Sequence, residues 1–421
     1  MTLKTENINV TPFKVAGSVK APPSKSMMIR AVVAGMLAKG TTIIRNPSFC
    51  DDARAAINVA QSLGAEIDLQ VDHIKITGGL KPGSLVLDCG ESGLAIRLFV
   101  AVASLFDQEI TLTGSATLRS RPVDMIEEPL RELGVEISTN KGFLPVKVKG
   151  PFKAGFTFVD GSQSSQFLTG LLMSLPLAKE RSDIVVDHLK SRPYVDMTLR
   201  LMNDFGVRAK HFDHRIFEIE GNQSYQAGDY YVEGDWSGVA FLLVAGAIGG
   251  EVDVNGLDMN STQADIQVLE ALEKAGAKLI RGDDFVKVSS GELNAFDMDI
   301  SDCPDLAPPL VCLAAYCKGL SRLRGAKRLF IKESNRAKTL QQEFAGLGIQ
   351  IDLEDDELII TGGSVKSGKV HSHGDHRIAM AGAVAAIGAE GPVFIERSEC
   401  VSKSWPGFFE DLKQIGGIVN E

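Results

Sequence analysis

The sequence predicts an α/β fold built from six copies of one unit of about seventy residues. An apolar residue followed by glycine recurs with this period where a helix would end, and the first five copies continue into two β-rich runs. A second series of polar residues opens apolar helical stretches with nearly the same period. The glycines are Gly64, Gly134, Gly206, Gly276, Gly348 and Gly416, and the polar helix starts are Ser26, Ser92, Ser164, Ser237, Asp305 and Asp375.

The first two copies indicate which elements make up the unit. Residues 51–63 predict a helix with Asp51 or Asp52 near its N-cap, and alternation over residues 65–71 and 73–77 predicts a hairpin. The second copy predicts helices over residues 92–105 and 122–133 and strands over residues 109–113, 135–138 and 144–148. Copies three to five end in similar β-rich runs. The common unit therefore contains two helices and several short strands, some of them parallel.

The length of 421 residues favours two domains of about 200 residues each. Six copies divide most simply into two sets of three, with a crossover near Glu233-Gly234-Asp235 and a second stiff point at Pro22-Pro23. We therefore expect one domain of residues 1–22 plus 235–421 and another of residues 23–234. A site in the cleft between these domains would close by a hinge, and the Ser237 copy is interpreted as part of that hinge.

Composition excludes several classes of function. The formal net charge of −10 argues against sequence-independent nucleic-acid binding. The first ten residues contain no secretory signal, and the longest apolar stretch, residues 239–248, is about half of a membrane span. The six cysteines are scattered without a CxxC pair, which indicates reduced thiols in the cytoplasm. Neither GxxxxGK[ST] nor GxGxxG after a strand is present, so nucleotide binding has no support.

The predicted helix starts carry many cations beside hydroxyl groups. Helix N-termini offer free N–H groups to anions, although each such start is also consistent with a plain capped helix. Asp305 is either an N-cap or a general base. If residues 332–336 are helical, Lys332 and Arg336 share one face and Glu333 points elsewhere. The histidines at 371, 373 and 376 have spacing that suits no common metal site.

These cations would converge on one cleft of an acidic protein. Such a cleft implies a substrate or substrates with several anionic groups, such as phosphates and carboxylates. The converging cations are Lys25, Arg30, Arg121, Lys332, Arg336, Arg377 and Lys403.

The motifs, taken together, resemble those of the 5-enolpyruvylshikimate-3-phosphate (EPSP) synthase family over nearly the whole chain. They are SKSMMIRA, GESGLAIR, RSRPVD, DGSQSSQFLTGLLM, SRPYVD, VEGDWSG, CPDLAPP, IKESNR, GDHRIAMA and SKSWPGFF. The resemblance implies a two-domain, inside-out α/β barrel in which each domain holds three βαβαββ units. It also implies transfer of the enolpyruvyl group of phosphoenolpyruvate (PEP) to the 5-hydroxyl of shikimate 3-phosphate, with release of phosphate.

The resemblance also assigns roles to individual residues. Asp305 is implied as the base toward the 5-hydroxyl, Glu333 as proton donor and acceptor at the methyl carbon, and Lys25 as the group that stabilises the departing phosphate. The residues implied for shikimate 3-phosphate are Ser26, Arg30, Ser164, Ser165, Gln166, Ser191, Tyr194, Asp305 and Lys332. The residues implied for PEP are Lys25, Gly93, Arg121, Gln166, Arg336, Arg377 and Lys403.

The resemblance further implies a monomer that acts in the cytoplasm on these two small molecules, with no nucleic acid, membrane, metal or organic cofactor. The sequence departs from the family pattern at three positions. Glu91 stands where a neutral amide is usual near the PEP site, so it either pairs with Arg97 or Arg121 or weakens PEP binding. Arg328 and Gly374 each stand where relatives often carry asparagine.

Three alternatives remain open at this stage. The related enzyme that transfers enolpyruvyl to UDP-N-acetylglucosamine has cysteine where this chain has Ala116. An RNA 3′-phosphate cyclase-like enzyme is disfavoured by the acidic charge and the missing nucleotide motif. A ligand-binding relative without turnover is disfavoured by the presence of Lys25, Asp305, Glu333 and Arg377.

Overall fold

The computed structural model describes residues 7–420, and within this range the backbone forms twelve α-helices and twenty-four β-strands. The first six residues, on which the prediction of no secretory signal partly rests, the last residue and the side chain of Ala116 lie outside the described residues. The helices are α1 (Lys25–Leu37), α2 (Asp51–Ser62), α3 (Gly93–Ala103), α4 (Glu127–Glu132), α5 (Gln166–Ser174), α6 (Arg192–Asp204), α7 (Trp236–Gly249), α8 (Val268–Ala275), α9 (Ala307–Ala315), α10 (Arg336–Gly346), α11 (His376–Ala385) and α12 (Phe408–Gln414).

The strands are short and distributed along the whole described chain. They are β1 (Ile8–Thr11), β2 (Val15–Lys20), β3 (Thr41–Arg45), β4 (Glu66–Leu69), β5 (His73–Thr77), β6 (Val86–Asp88), β7 (Ile110–Thr113), β8 (Glu136–Asn140), β9 (Phe143–Lys149), β10 (Phe156–Asp160), β11 (Ser182–Asp187), β12 (Lys210–Phe212), β13 (Ile216–Ile219), β14 (Asp229–Tyr231), β15 (Gly250–Asn255), β16 (Lys278–Arg281), β17 (Phe285–Ser289), β18 (Asp297–Asp299), β19 (Leu320–Arg324), β20 (Gln350–Glu354), β21 (Glu357–Thr361), β22 (Gly368–His371), β23 (Val393–Glu396) and β24 (Ile418–Asn420).

These strands form six four-stranded sheets of one topology. In each sheet the first two strands are parallel, and the other neighbours are antiparallel. In four sheets the first helix of the copy joins the parallel pair as a βαβ unit, whereas the parallel pairs β14–β3 and β2–β15 join strands from distant parts of the chain. The sheets are β14-β3-β5-β4, β6-β7-β9-β8, β10-β11-β13-β12, β2-β15-β17-β16, β18-β19-β21-β20 and β22-β23-β1-β24, written from the first parallel strand.

The chain forms two compact units. The N-half unit is Pro23–Val232, and the C-half unit runs up to Pro22 and resumes at Glu233. Each unit contains three of the six sheets. Three sheets include a strand from a distant part of the chain, because β14 pairs with β3, β2 with β15, and β1 with both β23 and β24.

The first helix of each copy forms the core of its unit. In the N-half unit, α3 packs against α1 and α5, and in the C-half unit α7, α9 and α11 contact one another. These helices are apolar on nearly every side: all of α3 is buried, as are the residues of α1 from Met27 to Leu37. A helix that is hydrophobic all round is stable only when it is surrounded by protein. The strands, by contrast, alternate buried and exposed residues, as β9 does.

The glycine series is confirmed, because all six glycines follow the second helix of a copy and have φ between +76° and +111°. Only glycine adopts this left-handed conformation at little cost, so the residue marks the helix end in the sequence. The predicted helix over residues 51–63 and the hairpin that follows it are also confirmed as α2, β4 and β5.

Two of the six polar residues predicted to open helices are the N-caps of those helices, and the other four lie near the helix start but are not its N-cap. Ser92 and Asp375 are N-caps whose side chains accept backbone N–H groups. The predicted starts at Ser26 and Ser237 lie two residues beyond the true caps, Ser24 and Asp235, whose side chains reach the N–H of Met27 and Gly238. The helix after Ser164 begins at Gln166, and Asp305 lies in a 3-10 turn before α9.

The predicted helix over residues 122–133 was too long. The structure has 3-10 turns at Ala116–Ser120 and Asp124–Ile126, followed by the six-residue helix α4. Pro129 accounts for the difference, because proline donates no N–H and its ring would clash with the carbonyl four residues earlier. A helix that starts at Glu127 places Pro129 in its first turn, where it is tolerated.

Candidate active site

Arg30 lies on α1 of the N-half unit with only 1% of its surface exposed. Its Nε donates to Thr198 Oγ1 at 2.9 Å, its Nη1 to the Ser26 carbonyl at 2.9 Å, and its Nη2 to the Tyr194 carbonyl at 3.2 Å and to Thr169 Oγ1 at 3.5 Å. Among the described residues no carboxylate pairs with this guanidinium, and burial lowers its pKa to about 10. A buried cation held only by neutral oxygens is suited to receive an anion.

The hydroxyl-rich start of α5 is connected to the same network. Ser164 Oγ accepts the Gln166 backbone N–H at 3.2 Å, and the Ser165 carbonyl accepts the Thr169 N–H at 3.1 Å. The Gln166 side-chain oxygen accepts Arg97 Nη1 at 3.1 Å. Thr169 contacts both Arg30 and Ser165, so the start of α5 belongs to the same network of hydrogen bonds as Arg30.

Arg97 links this set to the start of α3. Its Nη1 also donates to the Gly93 carbonyl at 3.1 Å, and its Nη2 donates to the Pro122 carbonyl at 3.1 Å. The largely buried guanidinium of Arg121 lies directly over Gly93, since a Cβ at that position would be 2.5 Å from Arg121 Nη1. The glycine thus makes room for a cation at the N-terminus of a helix.

Glu91, the departure from the family pattern, accepts a hydrogen bond from Thr117 Oγ1 at 2.8 Å. Thr117 lies in the 3-10 turn Ala116–Ser120, just before Arg121. The carboxylate is therefore tied to the segment that carries this cation.

Lys25, the first residue of α1, forms an ion pair with Asp52. Lys25 Nζ lies 3.0 Å from Asp52 Oδ2, and the side chains are 14% and 5% exposed. Asp52 is in the first turn of α2, where a carboxylate also interacts well with the helix dipole. The ion pair with this carboxylate fixes the position of the partly buried lysine.

Two further predicted residues lie at the start of α6. Ser191 is its N-cap, is 3% exposed and has φ of +54°, and its carbonyl accepts the Tyr194 N–H at 3.1 Å. The Tyr194 carbonyl in turn accepts Arg30 and Thr198 Oγ1. Ser191 and Tyr194 are thereby placed next to the Arg30 cluster.

In the C-half unit, the buried Arg336 is the centre of a network of carboxylates. Its Nε and Nη2 bind Asp375 at 3.0 and 3.2 Å, its Nη1 binds Asp305 at 2.9 Å, and its Nη2 also binds Glu333 at 2.7 Å. Burial lowers the pKa of Arg336, but Asp375, Glu333 and Asp305 outweigh burial, so the pKa is raised. The guanidinium is permanently charged and firmly held.

Asp305 is approached by three cations. Its Oδ1 accepts Arg336 and, at 3.2 Å, Lys332 Nζ, and its Oδ2 lies 3.3 Å from Arg377 Nη2. Burial raises the pKa of Asp305, but Arg377, Lys332 and Arg336 together hold it well below its usual range. Burial also lowers the pKa of Lys332 to about 8, although Asp305 opposes this shift. Asp305 is therefore ionised, but in this arrangement it is a weak base.

Arg377 is fixed by a residue outside this set. Its Nη2 donates to Ser237 Oγ at 2.6 Å, and its Nη1 lies 3.4 Å from the Ser237 carbonyl. Ser237, which we had assigned to the hinge, thus contacts a predicted PEP ligand. Lys403 is buried at the end of the 3-10 helix Ser398–Lys403, which packs against α11, the helix that carries Arg377.

Two expectations about residues 332–336 were wrong. Lys332 and Arg336 do not share a helix face, because α10 begins only at Arg336 and Lys332 follows a 3-10 helix. Glu333 does not point away, since it forms an ion pair with Arg336. The turn between the two helices redirects both side chains, which a helical spacing rule does not anticipate.

Several residues that orient the predicted ones were not themselves predicted. Asp52 holds Lys25, Asp375 holds Arg336, and Thr169 and Thr198 hold Arg30. Asp52 and Asp375 carried a signal, since each stood near a predicted helix start. The threonines carried none, because their relation to Arg30 exists only after the chain has folded.

The model of the EPSP synthase (3-phosphoshikimate 1-carboxyvinyltransferase) family matches residues 10–412 of this chain. The chain belongs to this family. A 3-phosphoshikimate 1-carboxyvinyltransferase of Clostridium perfringens is 40% identical over 420 residues, which cover 98% of this chain and 99% of the relative. One of Clostridioides difficile is 38% identical over 430 residues, which cover 99% and 98%.

Solved structures agree with the sequence matches. A structure of EPSP synthase from Acinetobacter baumannii superimposes with a TM-score of 0.84 at 28% identity and covers 99% of this chain and all of that one. The predicted family, the predicted fold class and the predicted enzyme class, a transferase of this kind, are therefore confirmed. The comparisons favour none of the alternative functions. No helix within the described residues has both the length and the apolar character that crossing a bilayer requires.

Proposed function

We propose that this chain transfers the enolpyruvyl group of PEP to the 5-hydroxyl of shikimate 3-phosphate, which gives EPSP and phosphate. The observation that carries the proposal is the convergence of Lys332, Arg336 and Arg377 on Asp305. This arrangement places a candidate base among cations that suit a small, multiply charged anion. Membership of the EPSP synthase family supports the same reaction.

The N-half unit is proposed to hold shikimate 3-phosphate. Arg30 receives the carboxylate, together with the Ser26 hydroxyl. Since four of the five N–H donors of Arg30 are already engaged, it attracts this carboxylate by its charge and one remaining donor rather than by a two-pronged pair. The six-membered carbon ring of shikimate 3-phosphate and its phosphate are proposed to bind at the starts of α5 and α6, in contact with Ser164, Ser165, Gln166, Ser191 and Tyr194. Hydroxyls at helix starts support phosphate binding.

The phosphate of PEP is proposed to bind Lys25, Arg121 and Lys403. The Gly93 backbone supports this assignment, because its lack of a side chain brings Arg121 to the N-terminus of α3. The charges of Arg121 and of the helix start add there. Lys332 is proposed to contact the phosphate of shikimate 3-phosphate.

The carboxylate of PEP is proposed to bind Arg336 and Arg377. It must first compete with Asp305 and Glu333, since the donors of Arg336 already engage carboxylates. We propose that PEP replaces these two carboxylates on Arg336, while the buried Asp375 stays in place. Released from Arg336, Asp305 becomes a stronger base, and Glu333 can take up the proton that it later donates, so binding prepares both groups.

The chemistry follows from these positions. Glu333 donates a proton to C3 of PEP while the 5-hydroxyl attacks C2 and gives its proton to Asp305. A tetrahedral intermediate carries both substrates. Glu333 then removes a proton from the new methyl group, the electrons of that C–H bond form the C=C bond, and the C2–O bond to phosphate breaks. The departing phosphate, which Lys25 stabilises, takes up the proton that Asp305 received from the 5-hydroxyl, so both carboxyl groups return to their starting states. Every proton and electron pair is accounted for by the two substrates and these side chains.

We further propose that the protein acts as a monomer in the cytoplasm, with small molecules as its partners. The cysteines support this location, since all six are free and five are buried. Free thiols persist in a reducing compartment.

The test is an assay of phosphate release from PEP with shikimate 3-phosphate or with UDP-N-acetylglucosamine as the acceptor. We expect release only with the first acceptor, and release only with the second would overturn the proposal. Lys25→Met and Glu333→Gln should each lower turnover by at least about a hundredfold without unfolding the protein. Glu357→Gln is the matched control, because Glu357 also pairs with an arginine of the C-half unit, on its surface. Near-normal turnover in Glu333→Gln would remove that residue from the mechanism.

A further inference from the structure

A second cluster of chemically active side chains lies in the N-half unit, outside the residues proposed for either substrate. Asp196 is on α6, His211 is on β12, and His214 is in the turn between β12 and β13. Their potential ligand atoms all lie within 4.8 Å of one another. Among the described residues this is the only group of three or more histidine, cysteine or carboxylate side chains with such spacing.

The backbone holds the two histidines in place. Asp213 and His214 have φ of +50° and +56°, and Arg215 N donates to the Phe212 carbonyl at 2.9 Å, which closes a tight turn at the tip of the hairpin. His211 lies directly opposite Phe217 in the ladder of β12 and β13. The two imidazole rings are 4.3 Å apart between centroids, and both contact the buried ring of Phe217. Both imidazole rings therefore pack against the buried side chain of Phe217.

The carboxylate completes the cluster from the helix. Asp196 Oδ1 lies 2.7 Å from His214 Nε2, and both side chains are partly buried.

We propose that Asp196, His211 and His214 bind one divalent transition-metal ion, Zn²⁺ by preference. Two imidazoles and one carboxylate form a donor set that zinc accepts, with the fourth position left to water. Bond lengths of about 2.0–2.2 Å place the ligands of a tetrahedral zinc roughly 3.3 Å apart. The observed spacing needs only small rotations of the side chains to reach that geometry.

The ion would join the hairpin β12–β13 to helix α6. The same helix carries Tyr194 and Thr198, which hold Arg30, but Asp196 faces a different direction because it is two residues from each. The metal is therefore structural: it stabilises the N-half unit without touching either substrate.

The proposal is tested with the full chain, freed of metal by a chelator and titrated with Zn²⁺ in a calorimeter. We expect one Zn²⁺ per chain and a higher unfolding temperature in its presence. His214→Ala and Asp196→Asn should each weaken binding by at least about tenfold and abolish the rise in unfolding temperature. Circular dichroism of the metal-free variants establishes that they are folded.

The matched control is His73→Ala, since His73 forms another histidine–aspartate pair of 2.8 Å with Asp72, and no described residue completes a group of three ligands there. This variant should bind Zn²⁺ as the unaltered protein does. The proposal is refuted if no Zn²⁺ binds, if folded His214→Ala and Asp196→Asn bind it unchanged, or if His373→Ala abolishes binding. The last result would place the ion at the other close histidine pair, His371 and His373.

Discussion

Replacing Gly93 by alanine should weaken PEP binding while leaving the fold intact. Gly93 is the first residue of α3, and a Cβ there would lie 2.5 Å from Nη1, 2.8 Å from Cζ and 3.0 Å from Nη2 of Arg121. Ordinary van der Waals contact begins near 3.4 Å, so the guanidinium must move by about 0.9 Å. The helix itself loses nothing, since alanine is a better helix former than glycine by about 1 kcal/mol.

The size of the effect follows from that displacement. A charge-assisted hydrogen bond from arginine to phosphate spans about 2.7–2.9 Å, and a shift of about 0.9 Å breaks it. Such a bond contributes roughly 1.5–3 kcal/mol. We therefore expect the KM for PEP to rise by roughly tenfold to a hundredfold, whereas the KM for shikimate 3-phosphate changes little.

The assay is steady-state phosphate release at saturating shikimate 3-phosphate with PEP varied. Gly228→Ala is the matched control, because a Cβ at Gly228 of the same unit would meet no atom within 4 Å. An unchanged KM for PEP in a folded Gly93→Ala variant would refute the proposed contact between Arg121 and the PEP phosphate. A rise in the KM for shikimate 3-phosphate alone would assign this cation to the other substrate.

Two further predictions concern the cations that are proposed to meet shikimate 3-phosphate. Because Lys332 loses its charge as the pH rises through about 8, kcat/KM for shikimate 3-phosphate should fall above that pH. Lys332→Arg should move this fall to higher pH. An identical pH profile in the variant would contradict the assignment of Lys332 to shikimate 3-phosphate. Thr198→Val removes the oxygen that accepts Arg30 Nε, so the KM for shikimate 3-phosphate should rise about tenfold with kcat nearly unchanged. Thr42→Val, at a buried threonine whose hydroxyl lacks a partner among the described residues, is its control, and equal kinetics in both would show that Thr198 does not position Arg30.

The repeated architecture could be predicted from the sequence because its markers are local. A glycine at a helix end is required by the φ of that one residue, so the six copies are visible before the chain is folded. The helix starts were less accurate, since several polar residues in succession can each serve as the cap, as Ser24 and Ser26 illustrate. Pro129, which lies inside the predicted helix over residues 122–133, shortened α4 for a reason that is also local.

The residues proposed to bind the substrates could be predicted from the sequence, but the residues that hold them in position could not. Cations at helix starts indicate anion binding from residue type alone. The partners that fix them come from far along the chain, as with Thr198, which is 168 residues from Arg30. The pair of Glu333 with Arg336 was missed because a helix was assumed where the chain turns.

The strands that cross between distant copies have a consequence for how the protein is made. Residues 8–20 are made before the rest of both units, yet β1 pairs with Val393–Glu396 and Ile418–Asn420, and β2 pairs with Gly250–Asn255. The two sheets that contain β1 and β2 therefore cannot form until those residues have been made, whereas the whole N-half unit is available earlier. The first strands must stay unpaired during that interval, so a chaperone or the ribosome surface has its best opportunity to act on this N-terminal segment.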